Sequence, residues 1–289
     1  MRPTLLRDLL VALQRQSVSR SFEVVVIDND ANRTAEFIVD EVRGGFAKRH
    51  IALTYGVEPD KNIATARNTS IATAHGEWIA FIDDDETPDT TWIEVLARTA
   101  EEHDAAGVFG RVIPEFDSEF PEWQHDSDAF GGAIPLGLTV RHMRTSNALV
   151  RRSVLMLRPG PFDPAIGRNG GSDSELFAHL HALGNKFVIA PDAIVREHVP
   201  LERSRLRWHF RRDFRSGWNF SDRRARHHGV LKGGVLVVVS LVPRLAVIAG
   251  RGLLMLPRMR LAALSVFKGL ADILGRIGFF VGLRVEEYN

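Results

Sequence analysis

The chain has no cysteine. That excludes a disulfide scaffold, a zinc-thiolate site and a cysteine nucleophile, and it fits a reducing compartment. It also has almost no net charge: 37 Lys and Arg stand against 36 Asp and Glu. A global polycation and a disordered polyanion are therefore excluded. No internal repeat or low-complexity tract interrupts the 289 residues, a length that allows one or two domains with a large core. No apolar leader is evident, because Arg2-Pro3-Thr4 runs into an amphipathic stretch, so a secretory signal is not expected. No clean run of about 18 apolar residues licenses a membrane span.

What is present centres on residues 78–88, WIAFIDDDETP. Five mostly apolar residues run into Asp83, Asp84 and Asp85. The apolar part does not alternate, so it reads as a strand buried on both faces, as in a parallel sheet. Pro88 and the Asp and Thr around it stop the strand. The acids then sit at the carboxyl end of a strand, where open α/β sheets bind ligands. Adjacent carboxylates repel unless neutralised, and a hard cation such as Mg²⁺ or Mn²⁺ prefers oxygen ligands shared with substrate phosphates. A lone triplet of this kind also reads as a solvated acidic turn.

The surrounding pattern is strand–helix alternation. Leucines at 5, 6, 9, 10 and 13 predict an amphipathic helix over 4–16. Residues 22–27 form a second apolar strand, ending in Asp28-Asn29-Asp30. A helix over 34–43 is stopped by Gly44-Gly45, and a strand covers 51–55. Asn62 caps a helix to 74. A helix over 90–103, strands at 107–113 and 186–190, and a strand-to-helix unit over 147–157 follow. A helix begins at Asp173, with Leu180 and Leu183 on its core face. The alternation predicts a doubly wound, mostly parallel α/β sheet. No Gly-rich loop follows the first strand, which argues against a dinucleotide site of the Rossmann type.

Taken together, residues 22–92 resemble the nucleotide-sugar half of family 2 glycosyltransferases with the GT-A fold, and in particular bacterial succinoglycan-type exopolysaccharide enzymes. The carrying residues are 26–30 (VIDND), 62–68 (NIATARN), 81–88 (FIDDDETP) and Trp92, with Thr145-Ser146-Asn147, residues 170–173 (GGSD) and 202–208 continuing the likeness. The resemblance implies a GT-A-like sheet, although the strand that normally precedes the first helix is missing. It implies that Asp28 and Asn29 read the nucleotide base and that Arg67 and Asn68 face the donor. Asp84 would contact ribose or sugar. Asp85 would bind Mg²⁺ or Mn²⁺, with Asp83 sharing both metal and donor. Asp173 would be the base that activates the acceptor. A Glu commonly precedes that Asp in related enzymes, and here Ser172 stands in its place. The implied partners are a UDP- or GDP-type sugar donor and a glycan or lipid-linked acceptor. The implied reaction is an inverting, non-processive transfer in cell-surface or exopolysaccharide biosynthesis.

Residues 114–140 read as a long loop for acceptor recognition, with Trp123 either stacking on sugar or simply packing. His198 reads as structural or as a further metal ligand. Ser204 occupies the Gln position of the QxxRW signature, which argues against processivity. Nine arginines lie between 203 and 226, interleaved with Trp208, Phe210, Phe214 and Trp218. Nucleic acid and anionic lipid both suit such a cluster, but the adjoining apolar tail favours lipid. Lys268, Asp272 and Arg276 lie four apart, as on a helix resting in a membrane interface. The expected domains are 1–228, comprising a nucleotide-sugar half (1–113) and an acceptor half (114–228), and a membrane-associating helical tail over 229–289. The expected location is the cytoplasmic side of the inner membrane, with no nucleic-acid partner. The rival readings are a catalytically impaired homologue acting as a binding protein and, less favoured, a nucleic-acid binder.

Overall fold

The structure, a computed structural model, describes residues 3–130, 143–167 and 170–283. The chain forms two compact units: Met1–Glu115 with Gly132–His198, and Phe116–Gly131 with Val199–Asn289. The boundary expected at 228/229 thus falls inside the second unit.

In the first unit, α1 (Pro3–Gln14) buries Leu6, Leu9, Leu10 and Leu13 as its leucine spacing predicts. β1 (Glu23–Asp28) pairs in parallel with β2 (Ala52–Val57), joined by α2 (Glu36–Lys48). A helical crossover of this length is what a parallel pair requires. Gly44 and Gly45 do not end α2 but lie inside it. A Cβ on Gly45 would come within 2.6 Å of the Gln14 amide carbon, so this glycine lets α1 pack close to α2. α3 (Ile63–Thr73) starts at Asn62, whose Oδ1 accepts from Ala64 N at 3.1 Å, the expected cap.

β3 (Trp78–Phe81), β4 (Glu86–Pro88), β5 (Gly107–Phe116), β6 (Ala148–Arg151) and β7 (Phe187–Val199) form a second sheet in the order β3-β6-β5-β7-β4. The α/β architecture is as expected, but the parallel pair β1–β2 stands in its own sheet, and in this one β3–β6, β5–β6 and β4–β7 are antiparallel. β3 is an edge strand buried on one face, with Ile79 and Phe81 inward and Ala80 exposed. Its unbroken apolar run conceals the alternation because alanine is tolerated on either face. Among the described residues no strand precedes α1, and the strands fall into two separate sheets. α4 (Trp92–Glu102), the short α5 (Arg152–Leu155) and α6 (Pro164–Gly167), and α7 (Ser172–Ala182) complete the unit. Leu180 is core, whereas Leu183, just past the helix end, is exposed.

The second unit is helical: α8 (Leu206–His228), α9 (Val230–Leu254) and α10 (Met259–Phe280) pack on one another. Phe214 and Trp218 are buried, so these two aromatics of the arginine cluster serve packing rather than stacking on a ligand. α9 runs through Pro243 and is long and apolar enough to cross a membrane. Val235, Val238, Val239 and Val242 on it are exposed. Lys268, Asp272 and Arg276 do lie on one face of α10, but that face is buried against Asp128, Ser240 and Arg244 instead of meeting a membrane interface. Opposite charges on neighbouring segments draw the stripe inward. Of the long loop, residues 131–140 lie outside the described residues. The rest includes a short 3-10 helix (Glu122–Gln124) with half-buried Trp123.

Asn147 ties the first unit together. It is fully buried and has a positive φ of 58°. Its Nδ2 donates to Arg111 O at 2.9 Å and Ala193 O at 2.8 Å, and its Oδ1 accepts from Trp92 Nε1 at 2.7 Å. One amide thus joins β5, β7 and α4. Asn147→Ala should cost about 3 kcal/mol or more, because three buried partners lose a bond and alanine resists the left-handed conformation. Urea unfolding with an unchanged m-value would show it. Asn147→Gly relieves only the backbone, so it should remain nearly as unstable. Full recovery with glycine would refute the hydrogen-bond account.

Candidate active site

The three acids occupy a tight turn between β3 and β4. Asp83 N donates to Glu86 Oε2 at 2.9 Å, and Glu86 N donates back to Asp83 O at 3.2 Å. Asp85 O accepts from His198 N at 3.0 Å, next to the β4–β7 ladder in which Glu86 faces Glu197. These bonds come from backbone groups and from Glu86. The backbone of the turn is thus held by groups on β4 and β7. His198 reaches the turn through its backbone.

Glu86 went unnoticed in the sequence, where it reads as one more acid of a polar turn. It is 1% exposed, and burial, followed by the charge of Asp83, pushes its carboxyl well above the usual range. The one available signal is its place just before Thr87-Pro88, where an edge strand turns it inward.

Asp83 is the electrostatic centre. Partial loss of hydration, with 44% of the side chain still exposed, raises its carboxyl to about 6. Arg67 opposes that rise, while Asp85, Asp84 and Asp173 reinforce it. Arg67 Nη2, from α3, lies 3.7 Å from Asp83 Oδ1, and its guanidinium sits 5.5 Å from the ring centroid of buried Phe162. Asp173 thus comes within electrostatic range of the turn although 88 or more residues separate them in the chain. The cap of α7 is Gly171, at φ 93°, and not Ser172 or Asp173. Asp173 lies in the first turn, where its Oδ1 accepts from Ser174 N at 2.7 Å. The helix N-terminus favours the ionised carboxylate there. Ser172 is buried, and its Oγ has no hydrogen-bond partner among the described residues.

The remaining predicted residues are placed by the scaffold. Asp28, at the end of β1, is 7% exposed, and its Oδ2 accepts from Ala35 N at 2.7 Å and Tyr55 Oη at 3.0 Å. Burial and then this bond push the Tyr55 hydroxyl to about 12. Asn29 Nδ2 donates to Glu58 O at 3.0 Å and to Asp60 O, fixing the loop after β2. Asn68 uses both ends of its amide on Phe162: Nδ2 donates to its O at 2.8 Å, and Oδ1 accepts from its N at 2.9 Å. Asn68 therefore holds the segment on which Arg67 rests. Arg158 braces that segment from α7's side, with Nε donating to Pro161 O at 2.8 Å and Nη2 lying 2.7 Å from Glu175 Oε2.

Among the described residues no three Asp, Glu or His side chains gather closely enough to hold a metal ion alone. Mg²⁺ does not need such a cage, since one or two carboxylates plus substrate phosphates are its usual ligands. Asp83 is repelled by three acids, with Arg67 the counter-charge that opposes them. A donor set of carboxylate oxygens fits a hard divalent ion.

This crowding has a stability consequence. A carboxyl raised in the fold prefers its proton there, so ionising it destabilises the native state. The cost is absent below the unfolded pKa of about 4 and complete above about 6. Asp83→Asn should therefore melt above wild type at pH 7.5, and its advantage should shrink as pH falls from 6 to 4. Thermal denaturation across that range tests it. A gain independent of pH would contradict the electrostatic account.

The comparisons with known proteins follow this geometry. The sequence pattern described as Glycosyl transferase family 2 matches residues 2–157. The succinoglycan biosynthesis protein ExoM of Rhizobium meliloti is 35% identical over 196 residues, covering 67% of this chain and 62% of that protein. A glucosyl-dolichyl phosphate glucuronosyltransferase of Haloferax volcanii is 27% identical, covering 68% and 65%. The chain thus spans under two thirds of the length of these relatives. The crystal structure of S. aureus TarS 1-349 with UDP superposes with a TM-score of 0.53 at 15% identity, covering 96% of this chain and 88% of that one. The fold is GT-A-like, and the chain belongs to glycosyl transferase family 2.

Proposed function

We propose that this chain transfers one sugar from a nucleotide-diphosphate donor, of UDP or GDP type, to a glycan or lipid-linked oligosaccharide acceptor in exopolysaccharide or cell-surface biosynthesis. The observation that carries the reading is the Asp83–Asp85 turn, with Arg67 3.7 Å from Asp83 and Asp173 within electrostatic range. The names of the relatives, a succinoglycan biosynthesis protein and a glucuronosyltransferase, support the chemistry.

In this reading Asp28 and Asn29 shape the base pocket at the end of β1, and Asp84 meets ribose or sugar. Asp83 and Asp85 hold Mg²⁺ or Mn²⁺ together with the donor diphosphate, and the metal supplies charge stabilisation for the departing diphosphate. Arg67 steadies the acids, and Asn68 positions Arg67 through Phe162. Asp173 accepts the acceptor hydroxyl proton, so the new bond forms opposite the leaving diphosphate and the anomeric centre inverts. Ser204 in place of Gln supports a non-processive transfer.

Asp173→Asn keeps shape and size but removes the proton acceptor. Donor binding should persist while transfer falls by roughly 10² to 10⁴. Transfer within a few-fold of wild type would remove Asp173 from the mechanism. A wild type that binds donor and transfers nothing would favour the binding-protein reading.

We further propose that the protein works peripherally on the cytoplasmic face of the inner membrane, held by the outer face of α9. Val238 and Val242 there are 64% and 73% exposed. Each buried valine is worth about 1.5–3 kcal/mol, so Val238→Asp with Val242→Asp should cut binding to lipid vesicles by at least about tenfold. Co-sedimentation measures this, and unchanged binding would overturn the reading.

A further inference from the structure

In the second unit a partly open cleft of about 140 Å³ lies between α8, α9 and α10. Arg212, Arg244, Arg251 and Lys268 line it, against Asp128 and Asp213. Tight helix packing creates this crowding. A Cβ on Gly217 of α8 would fall 1.9 Å from Asp272 O, so the two backbones nearly touch. Long basic side chains from three helices then converge on one small space.

Each bonded carboxylate here answers two cations. Asp128 receives Lys268 Nζ and, at 3.0 Å, Arg251 Nη1. Asp272 Oδ2 receives Arg244 Nε at 2.9 Å and Arg276 Nε at 3.0 Å. Lys268 is 7% exposed, a buried ammonium that needs an anion beside it. Burial opposes ionisation of Asp128, but Lys268, then Arg251 and Arg212, more than offset it and hold its carboxyl below the usual range. The position is therefore built to stabilise negative charge. Asp213 adds little, because burial raises its carboxyl, and its Oδ2 has no hydrogen-bond partner. Asp128 belongs to a short segment outside the three helices, so an exchange of anions there leaves the helix packing intact.

We propose that this cleft binds a phosphate or diphosphate group, which displaces the half-exposed carboxylate of Asp128 as the anion between Lys268 and Arg251. Arginine and lysine donors suit the many acceptor oxygens of such a group. The same α9 that supplies Arg244 and Arg251 exposes Val238 and Val242 elsewhere on its surface, which makes a lipid phosphate one source and a soluble diphosphate the other. The site lies within the helical unit and does not depend on the sugar-transfer reading.

Two variants of the full-length chain test it by moving affinity in opposite directions. The probes are inorganic pyrophosphate without divalent metal, vesicles of phosphatidylcholine with phosphatidic acid, and phosphatidylcholine vesicles alone. Arg251→Gln should weaken pyrophosphate or phosphatidic acid binding about tenfold, the worth of one charged hydrogen bond. Asp128→Asn removes the competing anion and should tighten it several-fold. Neither should change UDP affinity, which reports the donor site and keeps failure here distinct from failure there. Response to phosphatidic acid alone assigns a lipid source, and response to pyrophosphate a soluble one. If Asp128→Asn weakens binding as Arg251→Gln does, or if neither variant shifts either probe, the cluster is a structural brace and the proposal falls.

Discussion

Everything in the first unit serves a turn that electrostatics alone would open. Asp83, Asp84 and Asp85 follow one another in the chain, and Asp173 adds a fourth negative charge within range. Backbone bonds and Glu86 hold its geometry. Glu86 closes it from inside with two bonds to the Asp83 backbone, and His198 N anchors Asp85 O. β4 is only three residues long, yet its antiparallel pairing with the much longer β7 holds it in place. Asn147 in turn fixes β7 against β5 and α4. Strain concentrated at one place and supported elsewhere is the usual condition of a functional site.

The counter-charge shows the same economy. Arg67 is the guanidinium that opposes the acids at Asp83, and it is placed by packing rather than by a tight ion pair. Its plane rests near Phe162, which Asn68 clamps from α3 and which Arg158 and Glu175 brace from α7.

The helical unit solves a different problem with the same forces. Where its three helices converge, Asp128 and Asp272 each pair with two basic groups. Its apolar residues meanwhile face outward along α9. This inverts the arrangement of an ordinary soluble helix, whose apolar stripe faces the core.

The sequence by itself determined the α/β class, the cap at Asn62, the leucine face of α1 and the acid triplet at the end of a strand. All are local: spacing, capping chemistry and strand length are set by neighbours a few residues away. It also carried the family likeness, because that likeness rests on short motifs in a fixed order. Only the tertiary structure decided the rest. The direction of strand pairing depends on partners such as β3 and β6, some 70 residues apart. Gly44-Gly45 read as a helix stop, but α2 runs through both, with Gly45 close to the Gln14 side chain of α1. Lys268, Asp272 and Arg276 read as a face for a membrane interface, until Asp128, Ser240 and Arg244 brought them inside. Glu86 was one acid among four until burial distinguished it. Local patterns report what a segment prefers, whereas burial and charge pairing depend on which distant segments meet.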